Sequence, residues 1–317
     1  MTRRSQLVWI AAVLVLLAVT LGISLQLIPT LIYQGRDSGI VAYTSHRVLK
    51  GDILYREVWD NKPPVIYYLN ALAFSIVGTN RWALWWVDTL SVYVAALVVF
   101  WLVRRAFEWW PLPWLGALAM ILWARNPGIV WDTIFTEVIA LPFQMLCFAL
   151  GYEFLRRPQA RTGFLLGLAS CAAFLTKQTT AGVALAFVPA VVLSRHPLIQ
   201  MPQRWRWLAT IMAGGLLGLG VVALFFAVQG ALDEGFRAAF QHPRLFHQWV
   251  SDRSIPWLET VKISMRGGVV PHVFGPAWPF WLGGAMAASW YLILKPSDPG
   301  DNGQGFKRAA LSTLIIW

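Results

Sequence analysis

Residues 7–33 of this chain run from Leu7 to Tyr33 without one charged side chain. The run exceeds the ~20 apolar residues a helix needs to cross the hydrocarbon of a bilayer, where every backbone polar group must be satisfied internally. It follows Arg3 and Arg4, as the core of a secretory signal follows its basic residues. A signal core, however, is about 7–15 residues long and ends at small residues, whereas this one ends at Ile32 and Tyr33. A retained first helix is expected. Further apolar runs at 82–103, 112–123, 134–155, 163–176, 181–193, 207–228 and 274–294 repeat the pattern, and a last one starts at Ala309. Two of the middle runs are short enough to tilt or lean on neighbours. The expected fold is all-α: a polytopic membrane protein of about eight or nine transmembrane helices.

Charge agrees with lipid as the solvent. Only 13% of the residues are charged, against about 25% in soluble proteins. The net charge of +11 comes from basic residues scattered in short loops: Arg3 and Arg4, Arg104 and Arg105, Arg156, Arg157 and Arg161, Arg195, Arg204 and Arg206, then Lys295, Lys307 and Arg308. That distribution fits cytoplasmic loops, with the N-terminus inside, and not the single basic stripe of a nucleic-acid binder; no nucleic-acid partner is expected. Trp82, Trp85, Trp86, Trp109, Trp110, Trp205 and Trp207 fall near the ends of the runs and read as an interfacial belt. Cys147 and Cys171 lie inside apolar runs, and His46, His196, His242, His247 and His272 form no metal-binding spacing, so no motif-borne metal site is expected. No phosphate-binding glycine loop is present.

The acidic residues gather instead in the alternate loops, most densely in the first, at about 34–81. Arg36, Asp37, Asp52, Glu57, Asp60 and Lys62 crowd there beside the membrane, where ionisable groups are costly unless they do something. From Asp37 the residues Ile40, Val41, Thr44, Val48 and Leu49 recur at helical spacing opposite Ser45, His46 and Lys50, which predicts an amphipathic helix on the membrane surface, ended by Gly51. A loop follows, and Pro63 and Pro64 precede a second interfacial helix beginning at Val65. Taken singly, Asp37 reads as a helix N-cap, Asp60 and Lys62 as a solvated pair, and Lys177 as a lysine snorkelling at the end of a short apolar run. Asp88, inside the run at 82–103, would need a partner.

The order and spacing of the whole stretch carry more than its single residues. GRDSGIVAYTSHRVLKGDILYREVWDNKPPVIYYLNALAFSIVG, with FTEVIALPFQ around Glu137 and GLASCAAFLTKQTTAG around Lys177 and Gln178, resembles the polyprenyl-phosphate-sugar-dependent glycosyltransferases of the GT-C group. Within that group it is similar to family 39, which holds the protein O-mannosyltransferases and the lipid A aminoarabinose transferases. The resemblance implies a membrane enzyme that moves a sugar, with inversion, from a polyprenyl-phosphate donor to an external protein, lipid or glycan acceptor. It puts Asp37 at the position of the family's catalytic carboxylate. A carboxylate there accepts the acceptor's proton while cations face the departing phosphate. Arg36, Lys62 and Lys177 are the candidates for phosphate contact. Asp60 and Lys62 match a recurring family pattern and are expected to shape the pocket, and Glu137 and Gln178 complete the substrate-binding candidates. Relatives often carry Asp-Glu where this chain has Asp37-Ser38; the missing carboxylate leaves metal participation open, and Glu137 or Asp132 is the expected second acid.

Residues 1–317 are expected to form one membrane-embedded domain in the cell membrane, with its site on the external face. Since such relatives are longer, further C-terminal helices are expected beyond Trp317. Two alternatives stay open: a flippase that moves a lipid-linked sugar without chemistry, and a noncatalytic membrane scaffold.

Overall fold

The computed structural model describes residues 3–32, 35–126, 133–180 and 203–242, with short pieces between 182 and 191 and residue 245. The chain divides into two units, Met1–Leu245 and Phe246–Trp317, and every described residue belongs to the first. The expected spans at 274–294 and from 309, and most of that at 181–193, lie outside the described residues.

Nine α-helices form among the described residues: α1 (Arg3–Ser24), α2 (Arg36–Leu49), α3 (Val65–Val77), α4 (Arg81–Ala106), α5 (Leu112–Ala124), α6 (Thr136–Arg156), α7 (Ala160–Thr176), α8 (Gln203–Val228) and α9 (Leu232–Phe236). Four stretches are long and apolar enough to cross a membrane, Gln6–Leu27, Arg81–Ala106, Thr136–Arg156 and Gln203–Val228, and α3, α5 and α7 are shorter apolar helices. The protein is an all-α, multi-pass membrane protein.

The punctuation seen in the sequence sets the helix ends. Asn80 caps α4 by accepting from the backbone N–H of Trp82 at 2.9 Å and of Ala83 at 3.2 Å, and Arg104 and Arg105 lie against the negative end of its dipole. Gly51 follows α2 with φ of 102°, a left-handed conformation that glycine adopts without strain. Pro63 and Pro64 precede α3, whose C-cap is Gly78.

Two apolar clusters organise the unit. One joins α1, α4 and α5 through Leu16, Trp85, Val92, Phe100 and Ile121. The other joins α2, α3 and the loop between them to α4, α6 and α8 through Val41, Leu54, Tyr67, Phe74, Leu84, Ile139 and Phe226. Trp85 is therefore a core residue, 4% exposed, and its indole N–H donates to the Ser24 carbonyl at 3.1 Å; Trp82, Trp86, Trp109, Trp110 and Trp205 remain on the surface as expected of a belt. The face of α2 follows the periodicity at Val41, Thr44, Val48 and Leu49 and departs from it at Ile40 and Ser45. Ile40 is exposed, and the buried stripe is Ser38, Val41, Thr44 and Ser45. Ser45 can turn inward because its hydroxyl donates back to the Val41 carbonyl at 2.7 Å, which removes the cost of burying it.

α7 and α8 approach at backbone distance. A Cβ on Gly167 would lie 1.9 Å from the Ile211 carbonyl oxygen, and one on Gly214 would lie 2.0 Å from that of Phe164. Small residues permit this contact where lipid supplies no hydrophobic drive between helices. The opposite side of α8, with Met212, Leu216 and Leu219, stays exposed.

Candidate functional site

The chain order places the basic pairs and the acidic loops at opposite ends of the helices. α4 and α6 finish at Arg104, Arg105 and Arg156, while α6 begins, and α7 finishes, beside Glu137 and Lys177. The sequence candidates gather at this second end.

Asp37 lies in the first turn of α2 and is exposed, as is Arg36. Gly35, not Asp37, occupies the cap position, so the capping reading does not describe this residue. A carboxylate in the first turn is still favoured by the positive end of the helix dipole. The next residue anchors the turn: buried Ser38 donates its hydroxyl to the Thr133 carbonyl at 2.7 Å. Thr133 stands three residues before α6, so this bond ties the turn carrying Asp37 to the segment that leads to Glu137. Where relatives often carry a second carboxylate, this chain carries a hydroxyl used for attachment.

The loop after α2 holds the second group. Asp60 is only 6% exposed. It accepts from the Tyr67 hydroxyl at 2.7 Å and from the Asn61 backbone N–H at 2.7 Å, and the Lys62 Nζ lies 3.5 Å away. The solvated-pair reading therefore fails: Asp60 is a buried carboxylate held by a phenol and an amide, with the lysine reaching it from the rim. Tyr55 braces the other side by donating its hydroxyl to the Lys62 carbonyl at 2.8 Å. Burial, and then the negative charge of Asp60, raise the Tyr67 phenol far above its ordinary value. Burial first, then Tyr68 and Asp60, do the same to Tyr55, so both stay hydrogen-bond donors at any working pH.

The third group joins two candidates far apart in sequence. Lys177, the C-cap of α7, pairs with Glu137 in the first turn of α6. The lysine side chain is 23% exposed and the glutamate 59%. This ion pair replaces the snorkelling reading. Gln178 follows and donates Nε2 to the Asn61 carbonyl at 3.1 Å and to the Ala239 carbonyl at 3.1 Å. It fastens the end of α7 to the Asp60–Lys62 loop on one side and to the stretch after α9 on the other. Trp59, exposed beside Asp60, meets His242 edge-on with ring centroids 4.7 Å apart.

Direct contacts thus join Asp60 with Lys62 and Glu137 with Lys177, and Gln178 links the two pairs through Asn61. Arg36 and Asp37 connect to them through Ser38 and Thr133. Asp132 lies outside the described residues. Three participants escaped the sequence reading: Ser38, Tyr67 and Arg125. The last is the partner that Asp88 needed, and Arg125 and Asp88 form a fully buried ion pair. Only Asp88 gave a signal in the sequence, as a carboxylate inside an apolar run.

Chemically, the arrangement offers one exposed carboxylate in the first turn of a helix and, at the same end of the unit, two ammonium groups each held by a single carboxylate. Such a set can take a proton and face an anion. The family described as dolichyl-phosphate-mannose-protein mannosyltransferase matches residues 61–228. Lys62, Glu137, Lys177 and Gln178 fall inside that match, and Arg36, Asp37 and Asp60 precede it. No curated protein and no solved structure matches the chain. With the match spanning just over half of an all-α membrane-spanning chain, the chain belongs to the dolichyl-phosphate-mannose-protein mannosyltransferase family and is a glycosyltransferase.

Proposed function

We propose that the protein takes a sugar from a polyprenyl-phosphate donor and transfers it, with inversion at the anomeric carbon, to an acceptor on the external face of the cell membrane. The observation that carries this reading is the meeting of Glu137–Lys177 with Asp60–Lys62 through Gln178 and Asn61, at the same end as the Asp37 turn. In this reading the acceptor hydroxyl attacks the anomeric carbon and gives its proton to the Asp37 carboxylate. The bond from that carbon to the phosphate oxygen breaks, and the polyprenyl phosphate leaves with the electron pair. Lys62 and Lys177 face the charge that gathers on it, and Arg36 stands beside the acceptor side. Glu137 is the more exposed partner of its pair, so the donor phosphate can displace it from Lys177 at little cost.

Orientation follows the same logic. The ends bearing Arg104, Arg105, Arg156 and Arg157 belong to the cytoplasm, and the Asp37 end faces outward. The donor is expected to be a mannosyl lipid or a close relative, and the acceptor a protein, lipid or glycan reached from outside. Glycosyl transfer is favoured over a flippase because the ionisable groups of the candidate site lie at helix ends and in the external loop, whereas a transporter concentrates its substrate-binding charges near the midplane.

Membranes holding the wild type should transfer radiolabelled sugar from at least one member of a panel of polyprenyl-phosphate sugars. Lys177→Ala should raise the donor KM by about 10- to 100-fold, the worth of one charge-assisted hydrogen bond. A wild type that transfers from no donor would overturn the reading, and an unchanged donor KM in Lys177→Ala would remove Lys177 from the phosphate site.

A further inference from the structure

Among the described residues, hydrogen bonds join the segment running from α1 into the first turn of α2 with the segment between α5 and α6 at two places. Near the membrane, Gln26 donates Nε2 to the Arg125 carbonyl at 2.7 Å; near the site, Ser38 donates to the Thr133 carbonyl at 2.7 Å. Arg81 fastens the first segment partway along, its Nη1 lying 3.1 Å from the Ile32 carbonyl.

The lower tie rests on charges. Arg125 is the C-cap of α5, and its side chain and that of Asp88 on α4 are both fully buried and paired. Its second nitrogen lies 3.4 Å from the Thr89 hydroxyl. Trp85, one turn before Asp88, holds the last residue of α1 by its bond to the Ser24 carbonyl. The guanidinium therefore joins the end of α5 to α4, and Trp85 of the same α4 joins it to the end of α1. A charge pair buried in a membrane protein is expensive to maintain, and removing either partner leaves the other uncompensated. An apolar contact would join these helices as well, so stability gives no reason for the charges. What a guanidinium reaching both Asp88 and Thr89 adds is a fixed orientation of the residue that caps α5.

We propose that Asp88 and Arg125 are positioning residues for glycosyl transfer: the buried pair fixes the end of α5, eight residues before Thr133, so that Thr133 receives Ser38 and holds the Asp37 turn. Neither residue touches substrate. The proposal rests on the transfer reading for its kinetic consequence, but its structural consequence stands alone.

The test uses the full chain in membranes. Asp88→Asn, Arg125→Lys and the charge-exchanged double variant Asp88→Arg/Arg125→Asp are compared at equal amounts of inserted protein. Each single variant should lower kcat by tenfold or more while the donor KM changes less than twofold, and the double variant should recover part of the loss. In parallel, oxidative cross-linking of Ser38→Cys with Thr133→Cys, made in each background, should be efficient with the native pair, fall in the single variants and return in the double. Unchanged kcat and cross-linking in Asp88→Asn and Arg125→Lys would overturn the proposal. So would single variants that only lower the amount of inserted protein while kcat per molecule and cross-linking stay at wild-type values. If the wild type transfers no sugar, the transfer reading fails, and the cross-linking series still decides the positioning.

Discussion

Asp60 shows how much a single side chain's meaning depends on what surrounds it. In the sequence it stands in WDNKPP and reads equally well as a loop charge. In the structure it is buried under Tyr67, with Lys62 alongside. The residue types were legible because an external loop crowded with charges next to apolar runs is unusual. Its partner Tyr67 was not, because a tyrosine at the start of an apolar helix looks like any interfacial aromatic. Arg125 was hidden for the same reason: near the end of an apolar run it resembles the basic residues that set topology, and only the fold brings Asp88 to it. The Tyr67–Asp60 bond makes a pH prediction. Because the phenol is raised in the folded state, its contribution to stability is complete below the ordinary phenol value of about 10 and declines as pH rises beyond it. Thermal unfolding in detergent should therefore fall off above pH ~10 in the wild type, and less so in Tyr67→Phe. At neutral pH that variant should lose about 1–3 kcal/mol, since it leaves a buried carboxylate oxygen with only the longer contact to Lys62.

At the scale of elements, the runs predicted helices α4 to α8 to within a few residues, since length and hydropathy decide what crosses lipid. The orientation of α2 was harder. Periodicity marked Ile40, Val41, Thr44, Val48 and Leu49 as one face; Val41 and Thr44 are buried and Val48 and Leu49 pack against the core. Ile40, an apolar residue that loses little by staying exposed beside a membrane, turns out instead, while Ser38 and Ser45 turn in. The glycines of α7 and α8 illustrate the opposite case, where contact is dictated by backbone approach. Gly167→Val should force the helices apart, because no side chain can yield in place of the Ile211 carbonyl oxygen. It should destabilise by about 1–3 kcal/mol and displace Lys177, which closes the same helix. The check is thermal stability with the donor KM; a variant that keeps both at wild-type values would separate α7 packing from the site.

For the molecule as a whole, the family match and the apolar helices establish a membrane glycosyltransferase, while the side on which chemistry occurs is argued from the basic residues. Single cysteines test that sidedness. One at Lys50, exposed at the end of α2, should react with a membrane-impermeant maleimide added from outside, and one at Arg157, exposed at the end of α6, should react only after permeabilisation. The reverse pattern would invert the proposed topology. Chemistry at the outward end depends in turn on one carboxylate. Asp37→Asn preserves shape and removes charge, and so tests the base directly. With the donor that supports transfer in the wild type, at matched protein levels, kcat should fall by about 10²- to 10⁴-fold with little change in donor KM. An Asp37→Asn variant that transfers sugar at the wild-type rate would contradict the account.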